Sequence, residues 1–227
     1  MKQIGSISRL AGVAALCALV ANLSLAAAEI GKAQITGIKG SVKVDGQVVK
    51  VGDSINPGQQ IETGAGSQLN LFLGDNGPTL LVQPDSRLTI DELSSDKSGS
   101  EPVINTKINV KAGKVAGYVK KTSSQSKYVV MTPTTTAAIR GTQYQVSDDG
   151  VVAVWEGCVS VAYRGNNYDV CSGQKFDPSV GSVVANDIAN PIPTPISGPS
   201  SALGGAIIIT PTRPNPGSSP TSPTGSR

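Results

Sequence analysis

The sequence predicts an all-β protein: a single domain of many short strands, arranged as stacked hairpins in a solenoid-like β-sandwich. Apolar and polar residues alternate, or β-branched residues cluster, in segments such as 41–51, 67–82, 104–121 and 151–165, which is the pattern of half-buried strands. Gly, Asp, Asn and Pro separate such segments at intervals of roughly ten residues, as expected for strands joined by turns. No apolar period of 3.6 residues follows residue 28, so we expect no helix in the domain.

The first 28 residues have the composition of an export signal. Lys2 and Arg9 give a positive start, a 16-residue apolar run begins at Leu10, and Ala26–Ala28 supply the small residues that signal peptidase accepts. We therefore expect cleavage after Ala28 and a periplasmic or otherwise secreted protein without a membrane span. The alternative is a retained anchor, but a spanning helix needs about 20 apolar residues.

The other end of the chain, residues 186–227, has the composition of a disordered tail rich in Pro, Ser and Thr. Nine of the 15 prolines of the chain lie beyond Asn190, and proline removes backbone donors and fixes φ. Such a tail suits a spacer or a glycan acceptor. The folded domain is expected to span residues 29–185, about 157 residues, which is enough for one hydrophobic core.

Two segments of the domain repeat the same plan. Residues 40–55 and 157–176 each contain a glycine, alternating valines, a glycine turn, a return strand and a second glycine. This similarity predicts two equivalent hairpins, one early and one late in the chain, which supports stacked β-layers. Two units do not establish a repeat fold, which usually has three or more.

Two cysteines remain after the predicted export signal, Cys158 and Cys171, on the two arms of the second hairpin. A reversal near Arg164–Gly165 would place them opposite each other, and an oxidising compartment would favour a structural disulfide. The alternatives are a redox-active pair and a soft-metal site. The spacing is not that of a C-x-x-C motif, and two thiols without histidine make a poor zinc site.

Composition argues against an enzyme. The chain has no histidine, the commonest general base and metal ligand, and we find no phosphate-binding glycine motif. We therefore expect no catalytic residue, no cofactor and no bound metal. Without Lys2 and Arg9 the chain has 17 basic and 16 acidic residues, a net charge of +1, which gives no general case for nucleic-acid binding.

One local basic stretch departs from this balance, and it contains Lys111, Lys114, Lys120 and Lys121. A solvated strand face is the simpler interpretation, and an anionic partner is the alternative.

A series of motifs along the domain resembles the FecR domain family. The matching positions are Thr63–Gly64, Asp75–Gly77, Gly113, Thr132–Pro133, Arg140–Gly141–Thr142 and Glu156–Gly157–Cys158–Val159. The resemblance covers about 100 residues, with a motif core at about 60–161, and the Thr-Pro…Arg-Gly-Thr segment with its downstream Glu-Gly is the most specific part.

The resemblance implies an all-β domain outside the cytoplasmic membrane that works through protein contacts. Regulators of this family relay a receptor signal to a sigma factor through a cytoplasmic segment and a membrane span. Only residues 1–9 precede the apolar run here, so we do not expect the anti-sigma function. We expect a secreted, non-catalytic interaction or scaffolding module for an envelope protein. The alternatives are a cell-wall glycan-binding protein, with peptidoglycan as partner, and a trans-acting regulator in an iron-responsive surface-signalling system.

The strand-like stretch 132–146 is interrupted by Arg140, Gly141 and Thr142. Glycine inside a strand commonly marks a bulge or a tight corner, and the five donors of arginine suit backbone carbonyls or a carboxylate such as Glu156. We interpret the family motif residues, including Thr132, Pro133 and Gly157, as structural, with ligand binding as the alternative. If this is right, Arg140→Ala lowers stability more than partner binding.

Cleavage after Ala28 predicts that the exported protein begins at Glu29. N-terminal sequencing and the intact mass of protein recovered from the cell envelope or the medium measure this directly. A mature chain that still begins at Met1 would favour the retained anchor.

Overall fold

The alternating pattern of the sequence produces strands with one buried face. The computed structural model describes residues 29–121 and 123–192, and almost all of its regular structure is β-strand. In the long strand Val103–Ala112, for example, Ile104, Thr106, Ile108 and Val110 are buried, whereas the residues between them are half-buried. The all-β prediction is confirmed.

Seventeen strands and one 3₁₀ turn, Gly74–Asn76, form in the described residues. The strands are β1 Glu29–Ile30, β2 Ala33–Lys39, β3 Val42–Val44, β4 Gln47–Val48, β5 Ser54–Ile55, β6 Gln60–Thr63, β7 Gln68–Phe72, β8 Thr79–Val82, β9 Arg87–Asp96, β10 Val103–Ala112, β11 Lys114–Val119, β12 Lys127–Met131, β13 Thr135–Ser147, β14 Val152–Tyr163, β15 Asn166–Cys171, β16 Gln174–Asp177 and β17 Ser182–Ala185.

The strands form one curled, open sheet that folds over its own core as two layers. Layer A has the order β5-β2-β7-β8-β11-β13-β14-β16-β17. Layer B has the order β4-β3-β6-β9-β10-β12-β13-β14-β15, with β1 beside the end of β9. Among the described strands, the β10–β12 pair is parallel and the other pairs are antiparallel. Only β13 and β14 belong to both layers, so these two strands make the sheet continuous.

The chain passes between the layers at two edges of the sandwich. At the first edge, residues 40–41, 64–67, 83–86 and 113 join strands of one layer to strands of the other. At the second edge, β13 and β14 themselves cross between the layers, and residues 172–173 join β15 to β16. This layer-by-layer winding gives the fold its solenoid-like character.

Buried hydroxyl groups hold the crossings of the first edge together. Ser67 accepts a hydrogen bond from the Ser41 amide (2.9 Å), and Thr63 donates to the Gln83 carbonyl (2.6 Å). The Ser86 hydroxyl accepts from the Lys114 amide (3.0 Å) and donates to the Lys114 carbonyl (3.2 Å). Leaving a buried backbone amide or carbonyl without a hydrogen bond would cost free energy. These hydroxyl groups bond to the backbone at the crossings and so avoid that cost.

The core lies between the two layers and includes one polar link across them. Tyr144 from layer A donates a hydrogen bond to the Tyr128 hydroxyl from layer B (3.1 Å), and both side chains are buried. Burial raises the pKa of both phenols, so they stay protonated and the bond persists. A Cβ at Gly117 of β11 would lie only 2.5 Å from the Tyr144 hydroxyl oxygen. A glycine is therefore needed opposite this tyrosine.

The two segments with the same sequence plan form the same structure. The β3–β4 hairpin turns at Asp45–Gly46 (φ 49° and 78°), and the β14–β15 hairpin turns at Arg164–Gly165 (φ 48° and 80°). Positive φ at both central residues is the type I′ turn that matches strand twist. Both hairpins lie in layer B, towards opposite ends of the strand order, and each continues into a layer A strand, β5 or β16.

The chain continues beyond β17 along the outer face of layer A. In this 186–192 segment, Ile192 is buried beside Leu81 and Ala116. The Trp155 indole donates to the Ile188 carbonyl (3.2 Å), and Lys175 pairs with Asp187 (2.6 Å). The latter hydrogen bond raises the pKa of Lys175 and lowers that of Asp187. The first seven residues of the predicted tail thus lie against the domain.

The predicted export signal, residues 1–28 with its cleavage point after Ala28, lies outside the described residues, as does the tail from residue 193. Within the residues that the structure does describe, no helix has the length and apolar character required to cross a bilayer.

The contact of Gly117 with Tyr144 predicts that Gly117→Ala lowers the free energy of unfolding by about 1–3 kcal/mol, because the added methyl overpacks the core. Denaturant unfolding of the full chain measures this. Gly99→Ala is the matched control, since the nearest heavy atom to a Cβ there lies 3.6 Å away. Equal stability of the two variants would contradict the packing argument.

Candidate functional site

Arg140, Gly141 and Thr142 lie where β13 leaves layer B and enters layer A. Residues 135–140 pair with layer B strands, and residues 142–147 pair with β11 in layer A. The register with β14 shifts on both sides of Gln143, and both Gly141 (φ 64°) and Gly157 (φ 79°) have positive φ. The interruption of the strand pattern is therefore a bulged crossing. We call residues 140–142 and 156–158 the motif corner.

The two glycines of the motif corner pack directly on one another. A Cβ at Gly157 would lie 2.3 Å from the carbonyl oxygen of Gly141 and 2.7 Å from the Thr142 methyl group. A Cβ at Gly141 would in turn lie 3.1 Å from the Cα of Lys121. Three segments of backbone therefore meet here at distances that only glycine permits.

The other motif side chains have separate positions. Thr142 is fully buried, and its hydroxyl has no hydrogen-bond partner among the described residues. Glu156 is exposed and lies opposite Gln143 in the strand register, and Arg140 lies opposite Cys158.

Thr132 and Pro133 lie far from the motif corner, in the β12–β13 turn at the first edge. There the Thr132 hydroxyl accepts a hydrogen bond from the Thr135 amide (2.9 Å) and the Thr132 amide donates to the Thr135 carbonyl (2.9 Å). The Thr-Pro and Arg-Gly-Thr parts of the motif are thus two turns at opposite ends of one half-strand. They do not form a single site.

A disulfide joins β14 to β15 directly beside the motif corner. Cys158 and Cys171 are cross-strand partners with a Cα–Cα distance of 4.0 Å, and their sulfurs are bonded. The structural disulfide predicted from the hairpin is confirmed. In the chain-entropy model, closing a loop of this size stabilises the fold by about 3 kcal/mol.

An open cleft of about 1020 Å³ lies at the second edge, next to the motif corner. Three connections form its walls: the β7–β8 turn with Asp75, the β9–β10 hairpin with Lys97 and Glu101, and the residues after β11 with Lys120 and Lys121. Arg140 is exposed and completes the lining.

The cleft combines an apolar wall with an excess of positive charge. Phe72, Pro78 and Pro102 contribute apolar surface, and Phe72 is 42% exposed. Four cationic side chains and two carboxylates line it.

Only one of these lysines is neutralised inside the cleft. Lys97 pairs with Asp75 (2.7 Å), whereas neither Lys120 nor Lys121 forms an ion pair with any described residue. The net charge of the cleft lining is therefore positive.

A buried asparagine fixes the wall formed by the β7–β8 turn. The Asn76 side-chain amide donates to the Ser94 carbonyl (2.9 Å), the Asn105 carbonyl (3.1 Å) and the Thr106 hydroxyl (2.7 Å). It thereby ties a layer A turn to two layer B strands. These partners lie 18 to 30 residues away along the chain, so local sequence could not indicate them.

The fold places the four lysines of the basic stretch at two opposite edges of the sandwich. Lys111 and Lys114 flank Gly113 at the first edge, and Lys120 and Lys121 follow β11 at the second edge. The six residues of β11 separate the pairs by about 20 Å. All four lysines are exposed, and only the second pair lines the cleft.

The ionisable side chains of the described residues determine which ligands they could bind. Within residues 29–121 and 123–192, no three acidic or cysteine side chains are grouped as a metal site. The titratable groups of the cleft are lysines, an arginine and carboxylates, which suit electrostatic recognition.

The motif corner predicts that Gly157→Ala destabilises the protein more than Gly165→Ala does. Both glycines have nearly the same φ, 79° and 80°, so each substitution costs about 1–2 kcal/mol for the backbone conformation. In addition, the methyl group of an alanine at position 157 would lie 2.3 Å from the Gly141 carbonyl oxygen, whereas no heavy atom outside the neighbouring residues lies within 4 Å of such a methyl group at position 165. Urea unfolding of the two full-length variants measures the difference, and equal losses would show that the close contact is not a constraint.

Comparison with known proteins finds a family match. Residues 59–160 match the family model described as FecR protein. No curated protein matches the sequence.

Two crystal structures of a candidate anti-sigma factor from Parabacteroides distasonis ATCC 8503, at 2.50 Å and 1.65 Å resolution, are similar to the chain. Each shares 13% sequence identity, with TM-scores of 0.45 and 0.44, and the aligned region covers 58% of this chain and 60% of the other. The chain thus spans less than two thirds of the length of these relatives.

The resemblance drawn from the motifs between about 60 and 161 is confirmed by the match of residues 59–160 to the FecR family model.

Proposed function

We propose that this chain is a non-catalytic protein of the cell envelope whose FecR domain acts by binding another protein. The observation that carries the proposal is the FecR match over residues 59–160, since this family is associated with envelope regulation through protein contacts. The predicted export signal at residues 1–28 supports the location.

The roles of the motif residues agree with a binding module. Gly141 and Gly157 serve backbone packing, and Cys158 is bonded to Cys171. Beside the motif corner, the domain presents a cleft to solvent. Two lysines of its lining, Lys120 and Lys121, form no ion pair with a described residue. Rigid scaffolds with open, charged connections are typical of recognition surfaces.

A second candidate is a trans-acting regulator in an iron-responsive surface-signalling system. The same FecR match favours it, because the family is named for the periplasmic part of the ferric-citrate transport regulator. The two candidates differ in the partner: a receptor or regulator of the signalling system in one, and another envelope protein in the other.

Site-specific photo-crosslinking in intact cells tests the proposal. A photoreactive amino acid replaces Lys121 in the cleft, Asn167 on β15 or Val48 on β4, all of which are exposed, in the full-length chain. We expect a discrete protein adduct from at least one position, identified by mass spectrometry. A TonB-dependent receptor or a sigma-factor regulator as adduct would select the second candidate.

Each outcome of the crosslinking experiment has a defined meaning. The Gly165→Ala chain carrying the same photoreactive residues is the control for small losses of stability. Adducts with peptidoglycan alone, or no adduct from any of the three faces, would refute a protein-binding function.

A further inference from the structure

We propose that the cleft at the second edge binds an extended, acidic segment of the partner protein, in which acidic and apolar side chains alternate. This inference rests on the proposed function, that the domain works through protein contacts. The cleft is lined by Phe72, Ile104, Lys97, Lys120, Lys121 and Arg140 among others.

The shape and surface of the cleft suit a peptide. Its volume of about 1020 Å³ is at the upper end of sites for small molecules, which span roughly 300–1,000 Å³. Its apolar lining includes the exposed side chains of Phe72 and Pro102. An extended segment presents side chains alternately to opposite faces, so one set can contact this apolar surface while the other meets the lysines.

Charge complementarity selects acidic side chains for the second set. Lys120 and Lys121 are exposed and lack ion-pair partners among the described residues. Asp75 is already paired with Lys97, so the remaining charge of the cleft favours carboxylates. Opposite charges across an interface increase the association rate and exclude partners of the wrong sign.

The fold holds the two lysines in place before any partner binds. Val119, directly before Lys120, pairs with Thr142, and the backbone of Lys121 packs on Gly141 at the motif corner. Because the backbone is already fixed, binding orders only side chains, which lowers the entropic cost. The glycines of the motif corner thus support the cleft from behind, and Arg140 of the same corner contributes to its lining.

The occupant belongs to another chain. Residues 1–28 and 193–227 contain no Asp or Glu, and their charged residues are Lys2, Arg9, Arg213 and Arg227. These segments therefore offer no acidic side chain to the cleft lysines.

A uniform polyanion is a poorer match than a peptide of mixed character. Asp75 and Glu101 lie in the lining beside the lysines and would repel a dense row of phosphates or sulfates. Phe72 is the one aromatic residue of the lining. A single aromatic ring provides too small a stacking surface for a chain of sugars or bases. An acidic and apolar peptide avoids both problems.

The test measures binding of a fluorescein-labelled eight-residue peptide of alternating Glu and Val to the full-length protein by fluorescence anisotropy. We expect saturable binding that weakens as salt rises, and little binding of the same peptide with Gln or Lys in place of Glu. In Lys120→Gln/Lys121→Gln the Kd should rise about tenfold or more.

Lys43→Gln/Lys50→Gln is the matched control. These exposed lysines lie at the β3–β4 end of the fold, do not line the cleft, and their loss changes the net charge by the same amount. The control should bind like the wild type. Should the cleft variant fold poorly, judged by its melting temperature, the salt dependence and the Gln peptide still decide the question in the wild type.

Three results would overturn the inference: no binding of the Glu-Val peptide, equal loss of affinity in both double variants, or dextran sulfate that binds the cleft as tightly as the peptide. The crosslinking experiment separates this failure from failure of the proposed function. A protein adduct from Asn167 or Val48 with none from Lys121 would leave protein binding intact and place it on another face.

Discussion

The close contact of Gly157 with the carbonyl of Gly141 is the constraint on which the rest of the fold depends. Among the strands that the structure describes, only β13 and β14 are shared by both layers, and both cross between the layers at these glycines. A side chain at either position would push the two strands apart where they must bend together. The disulfide between Cys158 and Cys171 adds a covalent link one residue beyond the crossing, so the bend is held by packing and by a bond.

The same constraint connects the interior to the candidate site. Gly141 contacts the backbone of Lys121, and the pairing of β11 with β13 fixes Lys120 beside it. On the opposite wall, the buried amide of Asn76 ties the β7–β8 turn to strands of layer B. Two walls of the cleft are thus tied to the folded core, an arrangement that lowers the entropic cost of binding.

The sequence was informative where the determinants are local. The shared plan of residues 40–55 and 157–176, with a glycine turn in each, predicted two hairpins. The disulfide followed from the second hairpin, because antiparallel pairing sets Cys158 opposite Cys171. The division into layers A and B could not be predicted, since it depends on which strands meet across the core. The cleft could not be predicted from the sequence either. Asp75, Lys97 and Lys121 lie more than 20 residues apart along the chain and become neighbours only in the folded domain.

The most direct test of this account is native-state hydrogen exchange of the full-length protein, followed residue by residue by NMR. If β13 and β14 unite the two layers, the most protected amides of layer A, in β8 and β11, and of layer B, in β9 and β10, exchange through the same global opening. They then share one free energy and lose protection in parallel as denaturant is added. Two distinct opening free energies, one for each layer, would show that the layers unfold independently and that the motif corner does not hold the domain together.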